Sequence, residues 1–288
     1  MKKLYFTSWL VLLVSLTAVF MILQPMSGNF ARYLAWRYTT DSAVQTGVIE
    51  RHGARIKYVS YGIGKPVLLL HGGLSNKLSW YSQLPWLVEK GRQVILIDTR
   101  GHGESTQGDA ELNYQTFADD TLQVLDELKI ARTDIIGWSD GGIIALLLGL
   151  EAPQRVDKIV AISANFHPSG LIADNSPASR PARNVRLLSW LRGLWSYLTE
   201  RNGNLEARLK QLWHVEPQLS QTDLQAITAP TLVITGENDI IDLPHSSQMA
   251  QMLGNAKIDI LLDAGHAAPV THAKQVNRLL ASFLDIEQ

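Results

Sequence analysis

Six short apolar runs punctuate the chain, at residues 66–70, 93–98, 133–138, 158–162, 230–235 and 257–262. The first four are rich in Val, Ile and Leu with no polar alternation, the pattern of strands buried on both faces. Helical periodicity fills the intervals near 80–90, 114–128, 139–151, 246–253 and 273–285. Repeated strand–helix units of this kind predict a mostly parallel central sheet with helices on both faces, an α/β fold. Ahead of them, the alternation in Val48-Ile49-Glu50 and Ile56-Lys57-Tyr58-Val59 predicts a hairpin turning at His52-Gly53.

Two stretches depart from this rhythm. Residues 166–222 contain no clear strand but carry Trp190, Trp195, Tyr197 and Trp213. Ligands of such sheets bind outside the carboxyl ends of the strands, so an insertion there is expected to form a helical cap over the site. At the other end, residues 4–23 are an uncharged, mostly apolar run of 20 preceded by Lys2 and Lys3. As a helix this run would extend about 30 Å, the thickness of a hydrocarbon core. It exceeds a signal-peptide core, and Gln24-Pro25-Met26-Ser27-Gly28 is a poor cleavage site. The expectation is an uncleaved single-pass anchor over residues 1–27, with a cleaved signal peptide or a buried core helix as the alternatives. Residues 28–45 then read as a juxtamembrane linker, and 46–288 as one domain carrying the cap. The two lysines place the catalytic domain on the periplasmic or extracytoplasmic side, although Arg32 and Arg37 on the other flank work against that orientation.

Composition narrows the chemistry. The 288 residues are 46% hydrophobic and 18% charged, ordinary for a folded domain, and the net charge of −1 gives no footing for nucleic acid. With no cysteine, a thiol nucleophile, a Cys-ligated zinc site and a disulfide are excluded. His52, His167, His214 and His245 show no clustered spacing, so neither a metal nor another cofactor is expected.

The most specific signal is Gly137-Trp138-Ser139-Asp140-Gly141-Gly142, which follows a buried strand and opens a helix. A serine on so sharp a turn is strained, and only small residues two positions to either side permit it. Four further landmarks accompany it: Leu70-His71-Gly72-Gly73 and Ile97-Asp98-Thr99-Arg100-Gly101-His102-Gly103-Glu104-Ser105 before it, then Gly236-Glu237-Asn238-Asp239 and Gly265-His266 after it. Over about 240 residues the chain resembles the α/β-hydrolase superfamily. The resemblance implies Ser139 as nucleophile, His266 as base and Asp239 as the acid that orients it. His272 is the rival base, and Glu237 and Asp242 are rival acids. It further implies an oxyanion hole from the backbone N–H groups of Gly73 and Asp140, with Leu74 as the substitute for Gly73. Trp138, Leu74 and the Asp140 side chain are the candidate substrate contacts. His71, His102 and Arg100 read as residues that fix loops.

Serine at the elbow implies acyl transfer to water, and so a serine hydrolase of small carboxylic esters or amides. A C–C bond hydrolase on the same scaffold is the alternative within enzymes, and a non-catalytic binding protein the alternative outside them. The elbow hexapeptide is similar to that of the valacyclovir-hydrolase-like group, in which the acidic neighbour holds a substrate ammonium. That implies α-amino-acid esters as a subclass. The competing reading of Asp140 is a carboxylate gaining about 0.3–1 kcal/mol from a helix N-terminus. The basic, Trp-bearing cap segment likewise reads either as a lid or as a surface that enters the membrane.

Overall fold

A computed structural model of the chain describes residues 28–172 and 203–287. The expected anchor at 4–23 lies outside the described residues, as do the cap residues Trp190, Trp195 and Tyr197 and the cap arginines from Arg180 to Arg201. Among the described residues no helix is long and apolar enough to cross a membrane. Where a linker is expected, residues 28–39 form helix α1. Tyr33 and Trp36 lie three apart, on one helical face, and both are buried, with the Trp36 ring 5.5 Å from that of Tyr61. That burial is what turns the segment into part of the domain.

Strands β1 (Val44–Arg51) and β2 (Ala54–Tyr61) pair antiparallel about His52 and Gly53, whose φ angles of 47° and 68° give the two-residue turn that matches strand twist. The chain continues through β3 (Lys65–Leu70), α2 (Leu84–Glu89), β4 (Arg92–Ile97), α3 (Tyr114–Glu127), β5 (Thr133–Trp138), α4 (Asp140–Glu151) and β6 (Val156–Ile162). From residue 203 the chain continues through α5 (Gly203–Val215) and α6 (Gln221–Ala226), which fall in or at the end of the stretch expected to form the cap. Then come β7 (Thr231–Asn238), α7 (Leu243–Met252), β8 (Ala256–Gly265), α8 (Ala268–Thr271) and α9 (Ala273–Phe283). Helix α2 starts later than its apolar pattern suggests. Pro85 fits only a first turn, so Lys77–Trp80 forms a separate 3-10 turn ahead of it.

The eight strands order as β1-β2-β4-β3-β5-β6-β7-β8, with β2 antiparallel to both its neighbours and every other pair parallel. Consecutive residues of the central strands feed two different cores. Leu68, Leu70, Ile95, Ile97 and Ile135 pack on one face, and Val67, Leu69, Val94, Leu96 and Ile136 on the other. This explains why these strands show no polar alternation. The strand order reverses between β3 and β5, and the loops leaving these two strands carry Gly72-Gly73 and Ser139. Such a switch point opens a crevice at the carboxyl edge of a sheet, and the candidate chemistry lies there.

Candidate active site

Ser139 sits between β5 and α4 with φ 55° and ψ −121°, a conformation sterically costly for any residue with a Cβ. The flanking glycines have a packing reason. A Cβ on Gly137 would lie 2.1 Å from the Gly141 carbonyl oxygen, and one on Gly141 would lie 2.1 Å from that of Leu70. The turn therefore closes only with glycine at both positions.

The Ser139 Oγ lies 3.1 Å from His266 Nε2, and His266 Nδ1 lies 2.7 Å from Asp239 Oδ1. An ionised carboxylate can only accept, so Nδ1 carries the ring proton and Nε2 is left to accept from the serine hydroxyl. Asp239 is 2% exposed. Burial works against its ionisation, but the facing His266 and hydrogen bonds from His266, Ser163 and the Ile241 N–H outweigh it and hold the carboxyl below the usual carboxylate range. The rivals sit elsewhere. Glu237 accepts the Asp263 N–H, Asp242 precedes α7, and His272 meets Thr271 ahead of the last helix.

Two loops hold the floor of the site through neutral imidazoles. His71 Nδ1 donates to the Gly72 carbonyl and its Nε2 accepts the Thr99 N–H, while burial lowers its pKa. His102 Nδ1 donates to the Arg100 carbonyl and Nε2 accepts the Leu74 N–H, and burial lowers its pKa to about 3. That second bond removes Leu74 as the alternative oxyanion donor, because its N–H is already committed. Gly73 remains, and its backbone lies close against Asp140. A Cβ there would meet Asp140 Oδ2 at 2.5 Å and Trp213 Cζ2 at 2.6 Å. Arg100 is fully buried and grips Asp120 with two 2.8 Å bonds, and Lys77 reaches Asp98, so both basic groups hold loops.

Asp140 is 6% exposed. Its carboxylate accepts from Tyr114 Oη at 3.0 Å and from Trp213 Nε1 at 3.1 Å to each oxygen. Burial pushes its pKa up, and the bonds from Trp213 and Tyr114 partly offset this. Trp213 belongs to α5, so the stretch expected to form the cap is hydrogen-bonded to the residue beside Ser139. Trp138 donates its indole N–H to the His266 carbonyl at 2.8 Å, which anchors the loop carrying His266. The segment after β6 is tied to the loop that carries Asp239, through the Asp242 N–H to the Gly170 carbonyl.

Ser163, Tyr114 and Trp213 are the site residues that the motifs do not name. Ser163 had one usable signal, its place at the carboxyl end of β6 beside the acid-bearing strand. Among the described residues no group of three or more potential metal ligands is present.

A family model described as alpha/beta hydrolase fold matches residues 65–191. A Synechocystis sp. protein that carries the name of a non-heme chloroperoxidase is 32% identical over 272 residues, spanning 80% of this chain and 94% of its own. Serine hydrolase BPHL of Mus musculus is 26% identical, spanning 85% of this chain and 88% of its own. Among solved structures, Est816, titled an N-acyl homoserine lactone degrading enzyme, superposes with a TM-score of 0.70 at 28% identity, over 82% of this chain and all of that one.

Proposed function

The chain belongs to the alpha/beta hydrolase fold family, and from that premise we propose that it is a membrane-tethered serine hydrolase of small carboxylic esters or amides. The observation that carries this reading is the unbroken relay Ser139–His266–Asp239, with links of 3.1 and 2.7 Å.

In the proposed reaction the Ser139 oxygen attacks the acyl carbon while His266 Nε2 takes its proton. The carbonyl oxygen becomes an oxyanion facing the N–H groups of Gly73 and Asp140, the second of which lies at the positive end of α4. Collapse of the intermediate expels the alcohol or amine, which leaves with the proton from His266. Water, deprotonated by the same imidazole, then cleaves the acyl-enzyme and restores the serine. Asp239 stabilises the imidazolium at each stage without itself gaining a proton.

The Asp140 carboxylate supports α-amino-acid esters as a favoured subclass, because it is an anion beside the acyl carbon. Its hydrogen-bond donors among the described residues, Tyr114 and Trp213, are uncharged. The test is a panel of α-amino-acid esters, neutral esters and ring-fission diketones, run on the wild type and on Asp140→Asn. Loss of roughly tenfold in kcat/KM for the amino-acid esters alone, about 1.4 kcal/mol, is the expected result. An equal loss for all esters would assign Asp140 to the turn and not to the substrate, and turnover of diketones alone would replace ester hydrolysis with C–C cleavage. The tether reading rests on the apolar run at 4–23, and Lys2 and Lys3 ahead of it favour a catalytic domain on the periplasmic or extracytoplasmic side, against the pull of Arg32 and Arg37.

A further inference from the structure

Helix α1 buries only one of its faces. Tyr33 and Trp36 pack inward, whereas Phe30, Leu34 and Tyr38 are 41%, 40% and 88% exposed. These three are spaced four apart and advance about 40° per step around the axis. The exposed Ala31 and Ala35 complete an outer stripe with no polar residue in it. At about 100° per residue, Arg32 falls beyond one margin of this stripe and Arg37 beyond the other. Exposed single hydrophobics are common, but a continuous apolar stripe edged by arginines is the signature of a helix lying in a lipid interface.

We propose that α1 is an interfacial helix, its Phe30–Leu34–Tyr38 stripe seated in the headgroup–acyl boundary of an anionic bilayer and its two arginines in the phosphate layer. The proposal rests on the tether reading and extends it from an anchor to a docked domain. The length of chain between the two supports the choice of occupant. The apolar run ends at Leu23 and Gly28 already lies in α1, so no more than five residue steps, at most about 18 Å of chain, separate the two. A helix held that close to the point of membrane exit meets lipid before any other surface. Docking also sets where the site stands. Phe30 packs on Tyr81 at 5.4 Å, beside Trp80, whose ring lies 6.3 Å from that of Trp138 next to the nucleophile. The start of α1 is therefore at the sheet edge that carries Ser139. Its far end lies at the opposite edge, beside Tyr61, which pairs with Val94 near the start of β4. With the stripe in the interface, the mouth of the site opens beside the bilayer surface, a position suited to acyl esters that partition into lipid.

The absence of cysteine allows a direct test on the full chain. Leu34→Cys, and Gln225→Cys on the opposite face of the sheet as control, are each labelled with an environment-sensitive fluorophore. Both are reconstituted in vesicles of mixed zwitterionic and anionic phospholipid, floated on a density gradient, and titrated with a nitroxide carried on the lipid chain or dissolved in water. The expected result is flotation of both proteins, with loss of most Leu34-site fluorescence to the lipid nitroxide and of Gln225-site fluorescence to the aqueous one only. Flotation with the Leu34 site quenched only from water would overturn docking while leaving the tether intact. Protection of that site from both quenchers would mean that a second copy covers the stripe, which also overturns it. Failure of the chain to float would remove the tether and the docking together.

Discussion

Ser139 holds a backbone conformation that costs about 1–3 kcal/mol, and what surrounds it accounts for its persistence. Glycines 137 and 141 allow the turn to close, and the start of α4 faces the position where charge would develop. The three residues of the relay are each legible in the sequence because each lies in a short motif at a strand end. Their supports are not, because a hydrogen bond between side chains far apart in sequence leaves no local pattern. Ser163 and Asp239 are 76 residues apart, and Trp213 and Asp140 are 73 apart. At this scale, Asp239→Asn should lower kcat by roughly 10⁴, since the amide lets the imidazole take the wrong tautomer. Ser163→Ala removes one bond to a charged group and should cost about tenfold. Steady-state rates on any ester that is turned over check both, and a Ser163→Ala loss matching that of Asp239→Asn would make Ser163 part of the chemistry.

The strands could be read from the chain because their apolar runs are the direct imprint of burial on two faces, and all six runs correspond to strands β3 to β8. The hairpin announced itself through alternation and a turn-forming pair. Helix α1 did not, because its buried face is only two aromatic residues wide and its outer face is equally apolar, so no amphipathic contrast is visible. Its contribution to the domain is nonetheless large. Trp36→Ala should destabilise the fold by about 3–5 kcal/mol, read as a lower midpoint in denaturant with an unchanged slope. A change of a few tenths would mean that α1 is dispensable to the domain and present only for its outer surface.

For the molecule as a whole, acid sensitivity follows from its buried imidazoles. His102 titrates at about 3 and His245 at about 4 in the folded chain, against about 6.5 once unfolded. Between those limits the unfolded chain binds protons that the folded chain refuses, so stability rises with pH. Their full contribution is present above about pH 6.5 and is lost as pH falls toward 3 to 4, at up to about 1.4 kcal/mol per pH unit for each imidazole. Thermal midpoints taken from pH 7 to pH 4 should fall steadily, and a flat profile would contradict the neutral, buried state of these groups. The central claim is narrower, that the fold assembles an activated serine at its switch point. The most direct measurement is labelling of the full chain in detergent with a fluorophosphonate probe, beside Ser139→Ala and heat-denatured protein. The expected result is labelling of the folded wild type alone. Equal labelling of Ser139→Ala, or none of the folded wild type, would contradict the claim.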